Sequence, residues 1–202
     1  MIMSKWEEYV KIVEAKFPSF KKVLNVGIKG GELSLLEKSL NVTLPKEMHD
    51  IYKFSDGQIE KEKPILFGLL LLSIDEIKRS IKREEPLIEQ LKGEWDMCSS
   101  FPKSHIKLAY ANSKWIPLFY GGRGFIGLDF DPDESGIAGQ VINFGIDDED
   151  KFVYASSLSD FIDICISKLK EGVDVEYSSE TGSFYYTDLY YPSALAKEMM
   201  GQ

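Results

Sequence analysis

Residues 115–145, WIPLFYGGRGFIGLDFDPDESGIAGQVINFG, constrain this chain more than any other stretch. The apolar, aromatic run 115–120 stops at Gly121, Gly122 and Gly124. Glycine takes positive φ without a Cβ penalty, so these positions predict a tight reversal. Residues 125–130 run out again as a strand. An acidic loop follows, with Asp129, Asp131, Asp133 and Glu134 held by Pro132 and Gly136, and residues 140–144 return. The pattern predicts adjacent antiparallel strands. Carboxylates at a strand end, with no base or nucleophile beside them, point to a recognition surface rather than an active site.

The flanking sequence is helical at both ends of this unit. Ser4 and Glu7 form a capping box, and Trp6, Tyr9, Val10, Val13 and Phe17 share one helical face until Pro18. Leu33, Leu36 and Leu40 mark a second helix, and Pro45 opens a third that ends at Asp56-Gly57. The continuously apolar run 65–72 reads as a central strand buried on both faces. Ser73 and Glu76 cap a further helix, which Pro86 is expected to kink or split. Residues 92–104 read as a loop and 106–110 as a short strand. Ser157 caps a helix bearing Leu158, Phe161, Ile162, Cys165, Ile166 and Leu169, and Gly172 ends it. An aromatic hairpin and a short terminal helix over 192–200 complete the reading.

Charge narrows the partner class. The net charge of -9 lies almost wholly in residues 101–202, which carry 16 acids and 8 bases. A phosphate backbone needs a basic footprint, so nucleic acid is not an expected partner. A basic protein is, through electrostatic steering, although acidity also serves solubility alone. The first residues carry Lys5, Glu7, Glu8 and Lys11 and do not read as a signal peptide, and no apolar run is long enough to span a bilayer. The expected location is cytoplasmic. Cys98 and Cys165 form neither a metal-ligand spacing nor a disulfide framework.

Three signatures resemble the SUKH superfamily, named in part for fungal cell-wall-assembly and glucan-synthesis regulators. The first ends in LNVTLPKEMHDIYKFSDG at Gly57, with Asp56-Gly57 where the family has Asn-Gly; the second is GLLLLSIDEI; the third is the stretch from Trp115 through Ile142. The resemblance covers about residues 28–172. It implies a single α+β domain over 1–202, a mixed, mostly antiparallel sheet flanked by helices, with 1–27 and 173–202 as appendages. It also implies protein binding rather than catalysis. Bacterial relatives are often immunity proteins that neutralise a toxin, so the first functional expectation is immunity against a basic, possibly nuclease, toxin domain. The alternative is a regulatory or scaffold protein of cell-wall synthesis.

The expected partner surface is an acidic face formed by Asp131, Asp133, Glu134, Asp147, Asp148 and Asp150. Arg123 at the hairpin tip and Tyr186 and Tyr190 in the aromatic tail are further candidate contacts, the tail serving either as interface or as a cap on the core. No cofactor and no metal is expected. Asp131-x-Asp133 imitates a calcium loop, but position twelve is Ile142 rather than an acid. No catalytic residue is assigned; a Cys98–His105 nucleophile pair is conceivable but has no flanking motif.

Overall fold

The computed structural model describes residues 3–18, 20–59, 65–91, 93, 97–122, 124–145, 147–172, 175–178 and 183–186. Among these, five helices surround a six-stranded sheet. The helices are α1 (Lys5–Lys16), α2 (Glu32–Leu40), α3 (Lys46–Phe54), α4 (Ile74–Gln90) and α5 (Leu158–Glu171). The strands are β1 (Leu70–Leu71), β2 (Ser99–Phe101), β3 (Trp115–Tyr120), β4 (Phe125–Asp129), β5 (Gln140–Phe144) and β6 (Asp150–Ala155), ordered β1-β3-β4-β5-β6-β2. All neighbours are antiparallel except β2 and β6, which makes the sheet mixed. A separate hairpin pairs β7 (Val175–Ser178) with β8 (Ser183–Tyr186).

The glycine turn forms as the sequence predicts, with Tyr120 opposite Phe125 and Trp115 opposite Asp129. Gly127 is required for a reason the turn does not reveal. A Cβ there would stand 2.0 Å from the Ile116 carbonyl oxygen, so only glycine lets β3 and β4 close in this register.

Side chains alternate across the sheet and divide its two faces. Phe119 and Tyr154 meet Phe161 of α5, with ring centroids 6.2 and 6.3 Å apart. Behind α5 lies α1, whose Trp6, Tyr9, Val10 and Val13 are buried in the same core. Lys5 pairs with Asp163, Lys170 with Glu8 at 2.8 Å, and the Tyr9 hydroxyl donates to the Ile65 carbonyl at 2.7 Å. The first helix is thus an integral layer of the domain. The opposite face of the sheet carries Tyr120 and Phe125 and looks toward α4.

Three sequence expectations change. Residues 65–72 are not a central strand. Phe67 and Gly68 take φ of 48° and 83°, Leu69 N–H donates to the Leu66 carbonyl, and only Leu70 and Leu71 pair, at the sheet edge. The run is largely buried in the common core, held at one end by Tyr9 of α1 on the Ile65 carbonyl and at the other by Tyr52 of α3 on the Leu72 carbonyl. Pro86 does not split α4, which runs continuously from residue 74 to 90. The short strand expected at 106–110 is absent; the pairing segment is β2, within the stretch read as a loop. Arg123, Tyr190 and the helix expected over 192–200 lie outside the described residues, as does the side chain of Tyr186.

Candidate functional site

The third signature builds one end of the sheet, and its first carboxylate is part of the frame. Asp129 is fully buried, and its Oδ1 accepts the Trp115 indole N–H at 3.0 Å and the Asp131 N–H at 2.9 Å. Its Oδ2 accepts Gln140 Nε2–H at 2.9 Å, and the same Gln140 amide donates to the His105 carbonyl at 2.8 Å. Burial raises the Asp129 carboxyl above its ordinary range, and the hydrogen bonds from Gln140, Asp131 and Trp115 oppose that rise. The carboxylate read as part of a surface is therefore a structural acceptor for three donors.

The six acids expected on one face are divided by the topology. In an antiparallel meander successive turns alternate between the two ends of the sheet. Asp131, Asp133 and Glu134 follow Asp129 at one end, while Asp147, Asp148 and Asp150 follow Phe144 at the other. Five paired residues, a span of roughly 17 Å, separate the ends. Asp131 is held by Lys107 and by Asn112 at 2.9 Å. Burial alone would raise its carboxyl, but the bonds and charge of Lys107 and the Asn112 amide outweigh it and leave the group below the usual range. Asp133 is half-buried and Glu134 exposed. At the other end Asp148 is half-buried, while Asp147 and Asp150 are exposed.

A groove of about 590 Å³ opens between α4 and the sheet at the β3–β4 turn. Its α4 wall is Glu76, Arg79, Ser80, Arg83, Glu84 and Leu87, at intervals of three and four that place them on one helical face. Leu72, Tyr120, Phe125 and Gly145 form the floor. Tyr120 and Phe125 pack with centroids 5.6 Å apart, and Phe125 packs on Phe144 at 5.8 Å.

The position of α4 follows from the first two signatures. Tyr52 donates its hydroxyl to the Leu72 carbonyl at 2.8 Å, and Asp56 Oδ1 accepts the Ile74 N–H at 2.8 Å. Gly57, at φ 77°, lets the chain pass where a Cβ would stand 2.5 Å from the Ser73 nitrogen. The capping box of Ser73 and Glu76 then starts the helix.

Behind the groove lies Lys151, fully buried, its Nζ donating to the Asp148 carbonyl at 2.6 Å and standing 5.3 Å from the Trp115 ring centroid. Burial lowers its basicity, and the charges of Cys98, Asp148, Glu84 and Glu149 resist that change. Burial also raises Glu84, against the charges of Arg83 and Lys151. Sequence reading missed this cluster. The only available signal was the three–four spacing of charges on α4, which reads equally as a solvated face.

The Cys98–His105 pair is not assembled by a hydrogen bond. Cys98 is buried and its thiol is pushed up, which favours the unreactive form, while His105 Nδ1 is 3.1 Å from the Lys103 carbonyl. No group of three or more His, Cys, Asp or Glu suited to a metal occurs among the described residues. No described helix is long and apolar enough to cross a membrane.

Scaffold and groove together describe an α+β domain whose most recognisable motifs hold the frame. The model of the SMI1 / KNR4 family (SUKH-1) matches residues 27–164, and the chain belongs to that family. It is 30% identical over 186 residues to the "Cell wall biosynthesis/cell cycle regulator smi1" of Schizosaccharomyces pombe, covering 85% of this chain and 36% of that protein. It is 26% identical over 207 residues to the "Glucan synthesis regulatory protein" of Neurospora crassa, covering 85% of this chain and 39% of that protein. To the "Cell wall assembly regulator SMI1" of Saccharomyces cerevisiae it is 23% identical over 180 residues, 72% of this chain and 36% of that protein. The chain therefore spans well under half the length of these relatives.

Proposed function

We propose that this chain is a non-enzymatic, protein-binding regulatory domain of the type found in regulators of cell-wall and glucan synthesis. The observation that carries the reading is similarity along 85% of the chain to a relative named as such a regulator. Toxin immunity draws no support from the relatives named above, and the regulatory alternative takes its place. The division of the acids between two ends of the sheet also weakens the picture of one continuous acidic face laid on a basic toxin. The test is a chimera. The matching segment of the fission-yeast regulator is replaced by this chain in a strain lacking that regulator, and glucan content and growth on a wall-perturbing dye are scored. Restoration to near the wild-type level is expected. A chimera that is expressed and folded yet behaves as the deletion would overturn the reading. Protection by this chain against a co-expressed toxin would favour immunity instead.

A further inference from the structure

The α4 groove combines charged and apolar groups in a way that selects an occupant. Arg79 and Arg83 stand one turn apart on its wall. Among the described residues the Arg79 side chain makes one hydrogen bond, from Nε to the Asp75 carbonyl at 3.2 Å, and Arg83, whose charge acts on the neighbouring Glu84, makes none. The two acids on the same wall are less available. Glu76 is half-buried and engaged in capping Ser73, accepting its N–H at 2.8 Å, and Glu84 is half-buried, with burial raising its carboxyl. The exposed charges on this wall are therefore the guanidiniums of Arg79 and Arg83, although the protein as a whole carries -9. Beneath it, Tyr120, Phe125 and Leu72 supply an apolar floor.

Guanidinium groups take carboxylates in bidentate geometry, and an aromatic floor takes an apolar side chain beside them. A phosphate could use the same guanidinium pair. A dianion, however, meets stronger repulsion from the half-buried Glu76 and Glu84 on the same wall than a single carboxylate does. We infer that the groove between α4 and the β3–β4 turn is a docking site for an acidic linear peptide segment of a partner protein, with carboxylates on Arg79 and Arg83 and an adjacent apolar side chain on Tyr120 and Phe125. This deepens the proposed function, since it rests on the chain being a protein-binding domain.

The test is a displayed library of random twelve-residue peptides selected against the full chain, run in parallel with the R79E/R83E variant and with K78A/K82A as a control on the same helix. Thermal melting verifies that each variant is folded. The expected result is enrichment of peptides carrying Asp or Glu next to an aromatic or aliphatic residue. Affinity should fall at least about tenfold in R79E/R83E, fall likewise when the peptide acids become amides, and stay unchanged in K78A/K82A. Peptides that bind equally well to R79E/R83E would overturn the site while leaving the chain a protein-binding domain. Enrichment of basic or uncharged peptides, preference for phosphoserine in place of the acid, or no enrichment would also overturn it. The chimera experiment judges the regulatory reading separately.

Discussion

The indole N–H of Trp115 donates to Oδ1 of Asp129 at 3.0 Å, joining the first residue of β3 to the last residue of β4 across the register. Two of the most conspicuous residues of the 115–145 stretch are thus partners of each other. Gln140, at the start of β5, completes the set from the other side of Asp129. The network fastens the β4–β5 loop to the segment around His105, whose carbonyl accepts from Gln140 and from the Asp133 N–H.

Asp129→Asn should destabilise the domain by about 1–3 kcal/mol, because one acceptor becomes a donor facing buried donors. Gln140 cannot flip without losing the bonds of its own amide to Ile137 and His105. The denaturant midpoint checks this. The native-state carboxyl is raised, so the native state holds its proton more tightly than the unfolded chain. Wild-type stability should therefore fall as pH rises from the ordinary aspartate range through the raised value, and the variant should lack that component.

Gly127→Ala should cost about 1–3 kcal/mol or more, since the added Cβ meets backbone on β3 at 2.0 Å and neither strand can yield freely. Gly30→Ala is the control, because nothing lies within 4 Å of its Cβ position. Equal melting temperatures for the two variants would show that β3 and β4 do not approach as described.

Asp56→Ala should cost about 1–2 kcal/mol by leaving the Ile74 N–H unpaired. Because this contact anchors the start of α4, amide exchange should accelerate first in residues 74–78. Uniform acceleration over the whole chain would contradict a local anchor.

Pro86→Ala should stabilise the domain by about 1–3 kcal/mol, because it restores a donor inside a continuous helix at an exposed position. Thermal melting reads the change. A loss of stability would mean that the proline fits a geometry the helix needs.

Lys151→Met should alter the pH dependence of stability in alkali. The native-state ammonium is less basic than in the unfolded chain, chiefly through burial. Between the lowered value and the ordinary lysine range the unfolded state binds more protons, so wild-type stability should rise with pH there. Subtracting the Lys151→Met profile isolates this rise; identical profiles would show that Lys151 is not buried as a charge.

Local rules made the helices legible. Ser4–Glu7 and Ser73–Glu76 both form the capping boxes their spacing announces, and Ser157 and Gly172 bound α5 as read. The glycine turn and the strands on either side of it follow equally from near-neighbour chemistry. These features depend on residues three or four apart, or on one backbone torsion, so the chain alone determined them. The edge position of β1, the pairing of β2 with β6, and the burial of Asp129 and Lys151 were settled by contacts between distant segments. The same holds for the functional surface. Sequence proximity grouped the six acids, but strand direction sent them to opposite ends of the sheet. Arg79 and Arg83 gain meaning only where α4 is set against Tyr120 and Phe125, because a helix's polar stripe carries no record of which surface it will meet.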